Sequence, residues 1–190
     1  VCLIWSKIMN KFLAAIMFCL TLTACSESVP PLDFTPSDVL PTGKKVNAGV
    51  KDISISFAKP QERVGSIQVG FGGNQYESSF KSTFEDSLQE ALIKSAIFND
   101  YAKRKVLIVA KVMQLETPTV GLAFTTQMVV RYSLLDTSSG KLLFTRDIKT
   151  TGTVEMGYAF LGATRMSESR NRAVRSSIED FISSLGEAKI

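Results

Sequence analysis

Leu122, Phe124, Thr126, Met128, Val130, Tyr132 and Leu134 occupy alternate positions of one unbroken stretch, with Thr125, Gln127, Arg131 and Ser133 between them. Successive side chains of a β-strand point to opposite faces, so a stretch patterned this way has one face to bury and one to leave in water. Asp136-Thr137-Ser138-Ser139-Gly140 follows, and a turn of that composition gains from a glycine free to take positive φ. Residues 141–155, with Leu142, Phe144 and Ile148 in phase, read as the returning strand. A long hairpin with one apolar face must be covered by something else in the chain.

The remaining periodicity supplies the cover. Ile53, Ile55 and Phe57 alternate with Asp52, Ser54 and Ser56, a half-buried strand that Lys59-Pro60-Gln61-Glu62 breaks. Ile67, Val69 and Phe71 alternate again and predict a second strand returning beside the first. Asn74 is placed to cap a helix, with Glu77 three residues on, and Phe80, Phe84, Leu88, Ala91, Leu92 and Ser95 form its inward stripe before Asn99-Asp100 closes it. The solid run Val106-Leu107-Ile108-Val109-Ala110 predicts a strand over 105–115 in the middle of the sheet. Ser167 is the expected cap of a final helix whose stripe is Val174, Ile178, Phe181, Ile182 and Leu185, ended by Gly186. The predicted class is α+β: an antiparallel-rich sheet of four to five strands with two amphipathic helices packed on one face.

The amino-terminal quarter has a different texture. Asn10 and Lys11 precede an apolar run from Phe12 to Leu22, too short for the roughly 20 residues a membrane-spanning helix needs. Leu22-Thr23-Ala24-Cys25 closes that run as a lipobox, where a bacterial signal peptide is cut and the new terminal cysteine acylated. Residues 1–24 are therefore read as a signal peptide whose start is Met9, and Cys25 as the lipidation site. Residues 25–45, with Pro30, Pro31, Pro36 and Pro41, read as an extended spacer holding the body off the lipid surface, and 46–190 as one folded domain. Ser26 stands where an aspartate would retain a lipoprotein in the inner membrane, so the expected location is the outer membrane, facing the periplasm of a Gram-negative cell.

Composition narrows the chemistry. Cleavage after Ala24 would remove two of the 22 basic residues, Lys7 and Lys11, and none of the 18 acidic ones, so the mature surface is close to balance. Nothing in it resembles a nucleic-acid footprint, and Lys103-Arg104-Lys105 reads as a solvated turn. Cys2 and Cys19 would leave with the leader and Cys25 would carry lipid, which leaves no disulfide. The chain has no histidine, so Ser-His-Asp, Cys-His and histidine-ligated zinc sites cannot be built from it. Gly70-Phe71-Gly72-Gly73 fits neither the dinucleotide nor the P-loop spacing. Ser78-Ser79-Phe80-Lys81 matches Ser-x-x-Lys, but the chain is too short for that acylase fold and lacks its Ser-Asp-Asn element. Glu85 and Glu90 lie about 140° apart around a helix and do not converge. No catalytic residue, metal or cofactor is expected.

One connection breaks the rule that loops are polar. Met156-Gly157-Tyr158-Ala159-Phe160-Leu161-Gly162-Ala163 carries large apolar side chains among glycines. Two readings stand: a contact surface, or side chains folding back to plug the sandwich. On the first, Tyr158, Phe160, Leu161 and Arg165 are the candidate partner-binding residues; Arg165, Arg170 and Arg172 either frame an acidic partner or solvate the last helix.

The lipobox, the Pro-rich segment, the helix ending Ala91-Leu92-Ile93-Lys94-Ser95-Ala96-Ile97-Phe98, the hairpin with Tyr132-Ser133-Leu134-Leu135-Asp136 and Gly140-Lys141, and the last helix together carry a resemblance. Over residues 50 to 185 the layout resembles small outer-membrane lipoproteins of Gram-negative bacteria that share an α/β sandwich. These include the lipopolysaccharide-assembly lipoprotein that plugs its translocon barrel and the penicillin-binding-protein activators. The resemblance implies a non-catalytic accessory or adaptor of a cell-envelope assembly complex, held to the membrane by its lipid and docking on an envelope protein. A lipid or glycan binder, for instance of lipopolysaccharide, is the alternative.

Overall fold

The computed structural model describes residues 31–43, 45–68 and 73–188, and of 73–75 the backbone alone. Cys25, the expected leader and residues 70–72 lie outside the described residues, as does the capping role expected of Asn74.

Four strands form one sheet in the order β1-β2-β3-β4. They are β1 (Gly49–Phe57), β2 (Lys105–Glu116), β3 (Phe124–Asp136) and β4 (Leu142–Val154); the helices are α1 (Gly73–Ser95) and α2 (Gly162–Glu187). β2–β3 and β3–β4 are antiparallel hairpins, Val130 facing both Val112 and Ile148, while β1 and β2 run parallel, Ile53 opposite Ile108. The parallel pair follows from chain order: α1 intervenes, carries the chain back along one face, and β2 starts again at the same end. The sheet is thus mixed and mostly antiparallel, with β2 interior as its apolar run predicts.

The expected second strand over 67–71 differs. Ile67 makes a parallel bridge to Leu115, and Gln68 N–H donates to Leu115 O at 2.8 Å, so the segment resumes the track of β1 along β2 instead of returning beside it. Val69 and Phe71 lie outside the described residues. The break at Pro60 turns out to be an excursion within one sheet position, with a single turn of 3-10 helix at Pro60–Glu62.

α1 ends at Ser95, short of the expected Asn99, because Ala96 takes a positive φ of 48° and its N–H closes on Ile93 O. α2 starts five residues before the expected cap at Ser167, which is buried inside the helix, and it runs one residue beyond Gly186. Its N-cap is Leu161, in extended conformation and with no side-chain acceptor to offer.

Both helices pack on the same face of the sheet, against Ile53, Ile55, Val106, Ile108, Val130, Tyr132 and Ile148. Among the described residues the opposite face buries only a small patch of Ala58, Met113 and Val129; Leu107, Val109 and Leu135 are half-buried on it, and Arg131 and Asp147 pair there at 2.6 Å across β3 and β4.

The expected spacer also differs where it is described. Phe34 is fully buried, its ring 4.9 Å from Phe80 and 6.2 Å from Phe84, and Leu32 and Val39 pack on the same core. Asp33 pairs with Arg175 at 3.2 Å, and Asn171 Nδ2 donates to Pro31 O. A Pro-rich segment with one aromatic in it can lie down on the body as a strap. The folded body therefore includes residues ahead of 46.

Candidate docking surface

β2 runs into β3, and β4 into α2, at one end of the sheet, where Phe124 and Val154 are paired partners. The two connections, 117–123 and 155–161, are consequently neighbours. Arg165 Nη1 ties them together by donating to Leu122 O at 2.5 Å, and its guanidinium lies 5.3 Å from the centroid of the Phe124 ring.

Among the described residues these two connections hold six of the eleven exposed large apolar side chains. Val120 is 83% exposed, Leu122 74%, Phe160 93% and Tyr158 50%, with Met156 and Leu161 also exposed. Tyr158 is the most constrained of them. It sits in a 3-10 turn over Met156–Tyr158, its N–H donates to Glu155 O, and the Arg172 guanidinium lies 5.4 Å from its ring centroid. Phe160 carries its ring into solvent. Burying one side chain of that size is worth about 1.5–3 kcal/mol, so the patch holds a driving force that folding leaves unspent.

The four residues singled out from sequence divide accordingly. Tyr158, Phe160 and Leu161 project from the loop, whereas Arg165 is buried and holds the loops together. Arg170 and Arg172 are likewise employed within the chain. Arg170 is buried and donates to Thr117 Oγ1 and Tyr76 OH, which ties α1 and the 117–123 loop to α2; Arg172 donates to Glu168 and to Thr153 O at 2.7 Å. Val120 and Leu122 belong to the surface without having been singled out. Leu122 falls in phase with the β3 alternation, and only Gly121 and Pro118 beside it hint that the strand has not begun.

Electrostatics at this end are mild. Glu116 accepts from the Ser66 backbone N–H, which holds its carboxyl below the usual range. At the opposite end a cleft of about 490 Å³ lies between the start of β1 and the end of α1, rimmed by Lys51, Asp52, Glu85, Gln89, Ile93 and Tyr101. Its charges are of both signs, and Ile93 and Tyr101 are its exposed apolar members. Among the described residues no group of three or more His, Cys, Asp or Glu is gathered to hold a metal ion, and no helix is long and apolar enough to cross a membrane.

No family model and no curated protein matches the chain. Among solved structures, the fold is similar to that of a Xanthomonas campestris protein of the family model DUF330, with a TM-score of 0.51 and 14% identity over 80% of this chain and 90% of that one. A minor lipoprotein from Acinetobacter baumannii aligns with a TM-score of 0.42 and 9% identity over 72% of this chain and 93% of its own. Lipoprotein GNA1162 from Neisseria meningitidis aligns at 0.33 and 12%, over 74% and 99%. At these identities the Xanthomonas match speaks to the fold alone.

Proposed function

We propose that this chain is a lipid-anchored lipoprotein of the Gram-negative outer membrane that works as a non-catalytic adaptor, docking a protein partner of the cell envelope on the surface formed by residues 120–122 and 156–161. The observation that carries the reading is the gathering of Val120, Leu122, Met156, Tyr158, Phe160 and Leu161 on two adjoining loops while the core is already filled elsewhere. Clustered apolar side chains on loops held by a rigid sheet are what a protein-binding surface requires, with aromatic residues as its anchors. The lipobox ending at Cys25 supplies the membrane attachment, and Ser26 the outer-membrane address.

The test is a double substitution, Tyr158→Ser with Phe160→Ser, in the full chain. Both side chains are at least half exposed, so thermal stability should stay where it is while co-purification of the envelope partner falls at least tenfold. Unchanged co-purification removes this surface from the function. Mass spectrometry of residue 25 tests the anchor separately: a bare thiol there ends the lipoprotein reading.

A further inference from the structure

The two edges of the sheet are finished differently. On β1 the register shifts at a bulge between Val50 and Asp52, and the Asp52 carboxylate accepts the Ile53 N–H at 3.0 Å. Backbone groups along a strand point alternately to either side. Ala58 N–H bonds Val112 O on β2, so the Ile53 N–H is one that faces the open edge. A bulge and a carboxylate over an edge amide are devices that stop a strand from recruiting another.

β4 has neither over its middle. Thr153 O accepts a hydrogen bond of 2.7 Å from Arg172 Nη1, on the side away from β3. Every second residue before it therefore turns its N–H and C=O to the open side: Thr151, Lys149, Asp147 and Thr145. All four are exposed, and among the described residues only β3 bonds to β4 along this stretch. α2 rests on the face of β4 at Thr150 and Gly152, and Arg172 is the side chain it sends around the edge. Arg172 closes one end of the open stretch, and the irregular register at Leu142–Phe144 closes the other. What stays open is 145–151, without proline, and Ile148 is its midpoint.

The charges share that midpoint. Two copies of the stretch, antiparallel about Ile148, place Asp147 opposite Lys149 of the second copy, twice over, and Thr145 opposite Thr151. A slide of two residues is the smallest that keeps N–H opposite C=O, and it sets either Asp147 against Asp147 or Lys149 against Lys149. Opposite charges across a strand pair stabilise it and like charges weaken it. Lys149 makes no ion pair among the described residues. Asp147 bonds Arg131 at 2.6 and 2.7 Å and keeps lone pairs for a second cation.

We infer that β4 pairs with β4 of a second copy of this chain, two-fold about Ile148, so that two four-stranded sheets become one. The pairing goes beyond the adaptor reading and uses neither the anchor nor the loops at 120–122 and 156–161. Its two-fold axis stands perpendicular to the sheet, which puts both helical layers on one side. The straps, bonded to α2 at Pro31 and Asp33, lie on that side as well.

The test is sedimentation equilibrium of the purified full chain in a detergent matched in density to the solvent, where the wild-type protein has twice the mass of one chain. Lys149→Asp and Asp147→Lys, each alone, set like charges opposite one another in all three registers and raise the dissociation constant at least tenfold. Mixed one to one, the two variants return to near the wild-type constant, because each offers the charge the other lacks; that recovery also shows both to be folded. A wild-type protein that sediments as a single chain, variants that stay dimeric, or a mixture that fails to recover overturns the pairing. Photo-crosslinking from position 151 in intact cells checks the register. The adduct falls at Thr145 of the second copy; capture of a different protein there overturns the self-pairing.

Discussion

The two helices cover the same face of one sheet by opposite means. α1 presents bulk: Phe80, Phe84 and Leu88 are fully buried, and Phe34 and Phe57 close on Phe80 at 4.9 and 5.5 Å between ring centroids. α2 presents small and hydroxylated residues over much of its length. Ser169 shares a hydrogen bond with Thr126 at 2.7 Å, Thr126 another with Thr117 at 2.8 Å, Ser177 one with Tyr132 at 3.0 Å, and Thr150 donates to Ala173 O at 2.9 Å. Gly152 completes the fit: a Cβ built there would stand 2.1 Å from Ser169 O and 2.5 Å from Ala173 N. One helix is held off the sheet by its side chains; the other rests its backbone on it. The first seat is governed by volume and the second by approach distance, and these fail differently.

Phe34→Ala is the harshest test of the volume seat, because it empties a fully buried aromatic slot. Large-to-small changes of that kind cost about 3–5 kcal/mol, measured by chemical denaturation. A loss below 1 kcal/mol would mean that the strap is a passenger. Gly152→Ala tests the approach seat with one added methyl group and should cost about 3 kcal/mol, since the atoms it meets are helix backbone and cannot rotate aside. In β4 an alanine is otherwise harmless, so a neutral result would refute the close contact. Ser169→Ala keeps the volume and deletes the hydroxyl that bonds Thr126 and Met166 O, an expected loss of about 1–2 kcal/mol. The same exchange at exposed Ser78 on α1 should lie within about 0.5 kcal/mol of zero.

The smallest effect concerns the charges where the strap passes α2. Glu179 has its carboxyl pushed above the usual value of 4.5 by partial burial first, then by Asp180 and Asp38, with Arg175 opposing. A carboxyl raised in the folded state destabilises the fold once it ionises. Glu179→Gln should therefore change nothing below pH 4.5 and become stabilising as the pH rises past that value. Solvent reaches this residue, which limits the gain near pH 7 to a few tenths of a kcal/mol. Denaturation curves at pH 3.5 and pH 7 give the sign; a gain at the acid end would contradict it.

The contrast also explains what could be read from the chain. β3 and the α1 stripe are legible because their buried and exposed faces differ in kind, apolar against polar; in β4 a register shift between Leu134 and Leu135 leaves the expected inward Leu142 exposed, and Thr150 and Gly152 take buried positions. The inner face of α2 is half hydroxyl and alanine, so its first two turns look like surface, and Ser167 looks like a cap when it is interior. The strap is hidden by its own composition, since one Phe among prolines does not outweigh the pattern of a linker. At the docking surface, Tyr158 and Phe160 stand out as large apolar residues among glycines. Leu122 is masked by the strand it precedes, and the buried roles of Arg165 and Arg170 depend on partners more than 40 residues away in sequence.

The strap has a mechanical consequence. Any tension on the chain ahead of Pro31 reaches the body first through Asn171 and Arg175 midway along α2, then through the Phe34 ring wedged against α1. The sheet is loaded only after both holds give way. A pull from that side is resisted as shear across the helical layer, while strand β1 and the loops at 120–122 and 156–161 are spared it and keep their shape.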